Sequence, residues 1–256
     1  MSSPHPIVHR SEIARMIDHS LLKPNSTTRE FEEGCLLARD LKVGSVCIQP
    51  YYLRRCAEIL QGSGVSASTV IGFPHGGHTT KVKVAEAEQA LADGGQELDL
   101  VCNISRVVSE DWEYVTADLK AVIDIAHASG QKVKVIFENC FLNESQKIRL
   151  CEICSELSAD WVKTSTGFGS GGATMDDLKL MRRHAAPTVQ VKAAGGIRTL
   201  DALLECRAIG VTRIGTSATS AILNDERFLP DGELKLLTGE GPRDGRDSPT
   251  IDALSY

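Results

Sequence analysis

The strongest constraint in this chain is a rhythm. Short runs of β-branched and apolar residues alternate with longer amphipathic stretches, about eight times over. Strands are expected near residues 16–21, 45–49, 68–73, 97–103, 132–138, 160–164, 188–192 and 212–215. Several are apolar nearly throughout, as parallel strands covered on both faces are. The intervening segments carry helix punctuation. Ser26 or Thr27 can cap a helix running to Asp40. Thr80 opens 81–93, which Gly94 and Gly95 close. Ser109 opens a stretch ending at Gly130. Asn143, with Gln146 three residues on, opens one through Leu157, like a capping box. Thr174 with Asp177 repeats that signature, and 200–209 stops at Gly210. Strand and helix in repeated alternation predict a (β/α)8 barrel, the TIM-barrel class of α/β folds. A doubly wound open sheet gives similar local signals and is the structural alternative. The 256 residues suit one domain of this kind. No internal sequence repeat is visible. From Thr238 the chain turns to Gly, Pro, Asp and Ser, so one domain over 1–237 and a mobile tail over 238–256 are expected.

Composition narrows the function classes. A net charge of −6 leaves no basic footprint for nucleic acid and disfavours acidic membrane surfaces. No run approaches the roughly 18 apolar residues of a membrane span, and the first ten residues lack the apolar core of a signal peptide. A cytoplasmic location is therefore expected. The eight cysteines are read as free, mostly buried thiols, because a chain of this length does not need disulfides to build a core.

In a barrel, functional groups gather at the C-terminal ends of the strands. Asp18, Asp99, Lys163 and Lys192 each sit in or at the end of an apolar run. A charge there is costly unless it is paired or used. Buried ion pairs that only tie strands together are one reading. Two lysines on successive strands favour another, because neighbouring ammonium groups in a partly dry site depress each other's pKa. An ordinary lysine is neutral only about 0.04% of the time at pH 7. Lowering its pKa by about 3 costs the ammonium about 4 kcal/mol and leaves roughly a third of it as free amine. That arrangement makes a nucleophile toward a carbonyl. Glycine clusters follow the last three strands: Gly167-Phe168-Gly169-Ser170-Gly171-Gly172, Gly195-Gly196-Ile197-Arg198 and Gly215-Thr216-Ser217. Barrels often bind phosphate at such loops, and Arg198 adds charge. A phosphorylated substrate is expected.

These residues carry a resemblance. Lys163-Thr164-Ser165-Thr166-Gly167-Phe168, Val191-Lys192-Ala193-Ala194-Gly195-Gly196-Ile197-Arg198-Thr199, Glu97-Leu98-Asp99 and Ile17-Asp18-His19-Ser20-Leu21-Leu22-Lys23-Pro24 together resemble the deoxyribose-phosphate aldolases, from about Ile17 to Leu223. The resemblance implies a class I aldolase on a TIM barrel. Its reaction is the reversible cleavage of 2-deoxy-D-ribose 5-phosphate to D-glyceraldehyde 3-phosphate and acetaldehyde, in deoxyribose phosphate catabolism. It implies Lys163 as the Schiff-base lysine, Lys192 as the second lysine and Asp99 as the acidic partner in proton transfer. Asp18, Cys47, Thr166, Gly167, Gly195, Gly196, Arg198, Gly215 and Ser217 would face the substrate. Some relatives end in a tyrosine thought to reach the active site, so Tyr256 is a candidate proton relay.

The expected partners are a phosphorylated sugar and acetaldehyde, with no nucleic acid, membrane, cofactor or metal. A homo-oligomer, dimer or tetramer, is expected. Another sugar-phosphate lyase or isomerase on the same barrel, or a non-catalytic phosphosugar-binding protein, is the alternative. Three departures stand out: Ala218 where relatives place a second serine, Asn139 where threonine is common, and His75 and His78 in a glycine-rich loop. His75-x-x-His78 lacks an obvious third metal ligand. Cys151-x-x-Cys154 lacks a second pair. Gly169 to Gly172 lacks the lysine of a P-loop.

Overall fold

A computed structural model describes residues 8–234. Eight strands close into a parallel barrel in sequence order: β1 (Ile17–Leu21), β2 (Ser45–Ile48), β3 (Ser66–Ile71), β4 (Glu97–Val101), β5 (Lys132–Ile136), β6 (Trp161–Lys163), β7 (Gln190–Ala194) and β8 (Arg213–Thr216). β8 pairs back onto β1, which excludes the open sheet. The helices are α1 (Arg10–Met16), α2 (Thr28–Asp40), α3 (Leu53–Leu60), α4 (Thr80–Ala92), α5 (Ile104–Val108), α6 (Trp112–Ala128), α7 (Glu144–Glu156), α8 (Met175–His184), α9 (Leu200–Ile209) and α10 (Thr219–Leu223). Residues such as Val46, Leu98, Leu100, Val133, Val135, Val162, Val191 and Ile214 are completely buried within one apolar core. That burial is what drives closure. Among the described residues no helix is long and apolar enough to cross a membrane. The expected tail over 238–256, with Tyr256, lies outside the described residues.

The caps explain where helices start, and where the expectations slip. Thr27 and Glu30 form a reciprocal capping box on α2, and Asn143 and Gln146 do so on α7. Thr174 accepts the Asp177 N–H at the start of α8. Gly210, at φ +97°, ends α9 in the left-handed conformation. Ser109, however, ends a separate helix, α5. Glu110 then reverses the chain at φ +56°, and Asp111 caps α6 by accepting the Tyr114 N–H. Thr80 does not open α4 either. Thr79 is its N-cap, and the Thr80 hydroxyl donates instead to Asp118 Oδ1 at 2.7 Å. β7 begins two residues later than expected, because Pro187 and Thr188 make a turn closed by Val189 N–H on Ala186 O. β3 ends at Ile71, because Gly72 turns left-handed at φ +65° and gives its N–H to Glu86.

Candidate active site

Register places the chemistry. In β6 and β7, Lys163 is the direct partner of Lys192. In β4 and β5, Asp99 is the partner of Lys134. Side chains alternate across a strand, so Asp18 points into the barrel. Its neighbour His19 points out, with Nδ1 2.8 Å from Thr219 Oγ1. Burial holds the His19 imidazole down at about 4, so this contact involves a neutral ring.

The interior charges form one network. Asp99 Oδ2 receives both catalytic candidates, Lys163 Nζ at 2.7 Å and Lys192 Nζ at 2.7 Å. Lys192 also meets Asp18 Oδ2 at 2.6 Å. Beneath them Lys134 Nζ lies 2.9 Å from Asp99 Oδ1, 2.5 Å from Glu97 Oε2 and 3.4 Å from Asp18 Oδ2. Arg213 joins Asp18 and Glu97. Asp18, Asp99 and Lys134 are wholly enclosed. The charges tie six strands together, and two of the amines also open on a cavity.

The two lysines are not equivalent. Burial lowers the pKa of Lys163; Asp99 works against this, and Lys192 adds to the lowering. Burial is the larger cause, and the neighbouring lysine adds to it. Burial disfavours the Lys192 ammonium too, but Asp18 and Asp99 outweigh it and hold its pKa above the ordinary lysine value. Burial also opposes the charge on Asp99, and Lys134, Lys163 and Lys192 overcome it, so this carboxylate stays ionised far into acid. Asp18 behaves the same way through Lys134, Lys192 and Arg213. Cys47 has its sulfur 3.8 Å from Asp99 Oδ2; burial, then Asp99, pushes its thiol up to about 11, so it remains protonated.

One cavity at the C-terminal mouth of the barrel collects the rest. Asp18, Cys47, Lys163, Thr166, Gly167, Lys192, Gly195, Gly196, Arg198, Gly215 and Ser217 all line it. Asp99 is the expected site residue that does not; it lies below both amines. The loops after β6 and β7 meet backbone to backbone at Gly172 and Gly195. A side chain on Gly172 would meet Gly195 O at 2.4 Å, and Ala173 N–H bonds Ala194 O at 3.0 Å. Gly195 and Gly196 take φ of +86° and +85°, which glycine adopts without strain. Ser20, Leu22 and Lys23 from the end of β1 also line the cavity and had no individual signal in the sequence. Lys134, Arg213 and Glu138 were likewise given no role by sequence.

The departures lie to the side. Asn139 is buried against Met181 Sδ, and His75 and His78 are exposed on the β3–α4 loop. Ala218 gives its N–H to Thr216 Oγ1 at 3.0 Å. All eight cysteines are free thiols, and all but Cys140 are buried, Cys151 and Cys154 inside α7. Among the described residues no three His, Cys, Asp or Glu side chains are grouped to hold a metal.

Comparison with known proteins agrees with this geometry. Residues 6–221 match the DeoC/LacD family aldolases. The chain is 60% identical over 216 residues to the deoxyribose-phosphate aldolase of Rhodopirellula baltica, covering 84% of this chain and 90% of that one. It is 46% identical over 213 residues to the deoxyribose-phosphate aldolase of Thermococcus kodakarensis, covering 82% and 95%. A tetrameric deoxyribose phosphate aldolase from Aeropyrum pernix superposes with a TM-score of 0.78 at 29% identity, covering 84% of this chain and 91% of that one. With the family match spanning most of its length, and a relative 60% identical over 84% of this chain, the chain belongs to the DeoC/LacD family of aldolases.

Proposed function

We propose that this chain is a class I aldolase that reversibly cleaves 2-deoxy-D-ribose 5-phosphate to D-glyceraldehyde 3-phosphate and acetaldehyde, with Lys163 as the Schiff-base amine. One observation carries the assignment. Lys163 has a single carboxylate contact, shares that carboxylate with Lys192, and is the lysine whose pKa lies below the ordinary value.

The steps follow from the geometry. The free amine of Lys163 adds to the C1 aldehyde of the open-chain sugar, and a proton delivered to the departing hydroxyl, for which the Lys192 ammonium is placed, lets water leave and a protonated imine remain. The C3 hydroxyl gives up its proton, the C2–C3 bond breaks, and its electron pair passes into the imine to form an enamine. C3 leaves as the aldehyde carbon of glyceraldehyde 3-phosphate. The enamine is protonated at C2, and water releases acetaldehyde and the amine. Lys192 faces the cavity and is held cationic, which suits it to donate and recover protons at this edge. Asp99 contacts both amines and is their common proton and charge partner. The loops carrying Gly167, Gly195, Gly196, Gly215 and Ser217 line the same cavity, where backbone N–H groups and Arg198 suit a phosphate. A homo-oligomeric assembly, as in the Aeropyrum relative, goes with this reading.

The test is borohydride reduction in the presence of acetaldehyde, read by intact mass and peptide mapping. One two-carbon adduct on Lys163 is expected, with activity surviving a strong chelator. An adduct elsewhere overturns the assignment. Ligand binding with no adduct identifies a silent phosphosugar-binding protein, and chelator sensitivity a metal-dependent enzyme on the same barrel.

A further inference from the structure

Glu138 stands at the rim of the barrel in a conformation that residues with a side chain rarely adopt, φ +58° and ψ +62°. Its neighbours show why. Phe137 N–H bonds Lys163 O at 3.0 Å, and Asn139 N–H bonds Thr164 O at 3.0 Å. Two residues advance on this strand while one advances on β6, so Glu138 is the extra residue of a bulge. Bulges at barrel rims re-aim a side chain. Here the side chain is aimed over the end of β6. It is buried, at 2% exposure, yet it has no ion-pair partner within contact distance among the described residues. Its oxygens are spent on one residue: Oε1 accepts the Thr166 N–H at 3.1 Å, and Oε2 accepts the Thr166 hydroxyl.

The direction of those bonds matters. The Thr166 hydroxyl donates to Glu138 Oε2. That leaves Thr166 Oγ1 free to accept the Phe168 N–H, at 2.9 Å. A chain of three groups therefore sets the turn from Thr166 to Phe168. The loop then lies directly on the carboxyl, since a side chain on Gly169 would come within 3.0 Å of Glu138 Cδ. Thr166, Gly167, Phe168, Gly169, Gly171 and Gly172 all line the cavity; Glu138 does not. Burial raises the pKa of Glu138 against the pull of Thr166 and of Lys163. A strained backbone and a buried carboxyl at one rim residue go with a positioning role.

We propose that Glu138 is a positioning residue: by holding Thr166 at both its N–H and its hydroxyl, it shapes the loop after β6 that grips the phosphate of the substrate. The inference rests on the aldolase reading above. It makes Glu138 matter for the phosphate end and little for the amine of Lys163, which it does not touch.

The test compares Glu138→Gln with wild type on 2-deoxy-D-ribose 5-phosphate, on 2-deoxy-D-ribose, and in borohydride trapping of acetaldehyde. Gln keeps the size but can no longer enforce the direction of the hydroxyl. KM for the phosphorylated sugar should rise roughly 10- to 100-fold, the scale of one lost charge-assisted hydrogen bond. The kcat/KM for 2-deoxy-D-ribose and the trapping rate should each stay within about threefold. Equal losses in all three, or no loss in any, overturn the inference. If Glu138→Gln does not fold, Glu138→Asp asks the same question: it keeps the carboxyl but shortens its reach to Thr166, so it should show the same phosphate-selective rise in KM, and equal losses in all three assays, or no loss in any, overturn the inference. Wild-type protein that neither cleaves the sugar nor yields the Lys163 adduct overturns the aldolase reading and this inference together.

Discussion

Replacing Lys192 by Met should turn Lys163 back toward an ordinary lysine. Both amines contact the same oxygen, Asp99 Oδ2, each at 2.7 Å, so the two nitrogens lie at most twice that distance apart. Two unit charges about 5 Å apart at an effective dielectric constant of about 20 repel by about 3 kcal/mol. Removing Lys192 deletes that repulsion. It also leaves Asp99 and Asp18 with less positive charge to balance, which favours the Lys163 ammonium further. Both effects have the same sign. About 3 kcal/mol corresponds to roughly a 150-fold smaller fraction of free amine at a fixed pH on the acid side of the titration. Burial stays in place and is the larger cause of the lowering, so Lys163 does not become fully ordinary.

The assay is the rate of borohydride-trapped adduct formation with acetaldehyde from about pH 6 to pH 10. It reads the nucleophile without requiring carbon–carbon cleavage. Lys192→Met should trap at least about tenfold more slowly at pH 7, with its pH profile moved toward alkali. Lys192→Arg keeps the charge but not the shape, so it should hold part of the wild-type profile. Asp18 and Asp99 retain Lys134 in both variants, and Asp18 also retains Arg213, so folding should persist and circular dichroism checks it. A folded Lys192→Met enzyme that traps at the wild-type rate at pH 7, with an unmoved profile, refutes the reasoning.

Gly196→Ala adds a side chain at φ +85° on the cavity wall; KM for the phosphorylated sugar should rise about tenfold or more and KM for 2-deoxy-D-ribose much less, and equal losses would make the residue structural. The folded-state pKa values of Asp18 and Asp99 lie below their unfolded values, so their contribution to stability is complete above about pH 4 and is lost as pH falls further. Denaturation midpoints measured from pH 7 to pH 3 should drop mainly below about pH 4, and a flat series would contradict the network. We also propose Tyr256 as a proton relay between imine and enamine: deleting it should slow exchange of the methyl hydrogens of acetaldehyde with deuterated water and leave trapping on Lys163 intact, whereas full-rate exchange makes it a passive end.

Much of the site was readable because burying a charge is expensive. Lys163 and Lys192 close apolar runs, and adjacency in a barrel follows from chain order, so their pairing could be anticipated before any coordinates. The glycines after β6, β7 and β8 announced themselves by position. Lys134 did not. It sits in Lys132-Val133-Lys134-Val135, which reads as a strand with a wet face, yet that face points into the barrel. Arg213 looked like an ordinary residue at a strand start. Glu138 was hidden for a different reason: nothing local requires a glutamate to be left-handed, and only the ladder on β6 forces it. The Ser109 boundary failed because the α5–α6 break depends on the reversal at Glu110, and Asp111 competes as cap.

The network also supports the proposed choice of Lys163 over its neighbour Lys192 as nucleophile, a question the motifs leave to analogy. Among the described residues, the ion pairs of Lys134, Lys163, Lys192 and Arg213 are with Asp18, Glu97 and Asp99, so this contact network holds one more cation than anion. An uncompensated charge in a dry interior is costly, and shedding a proton removes it. Arginine does not deprotonate. Lys134 is held by three carboxylates and Lys192 by two, while Lys163 has only its share of Asp99. Lys163 is therefore the cheapest place to lose the proton. The same imbalance then bears on the bond-breaking step. When Lys163 becomes a protonated imine, the surplus charge returns beside Asp99. Cleavage of the C2–C3 bond converts that cation to a neutral enamine and discharges it. On the proposed mechanism, a contact network one carboxylate short thus favours a free amine at the start and the neutral intermediate that follows carbon–carbon cleavage.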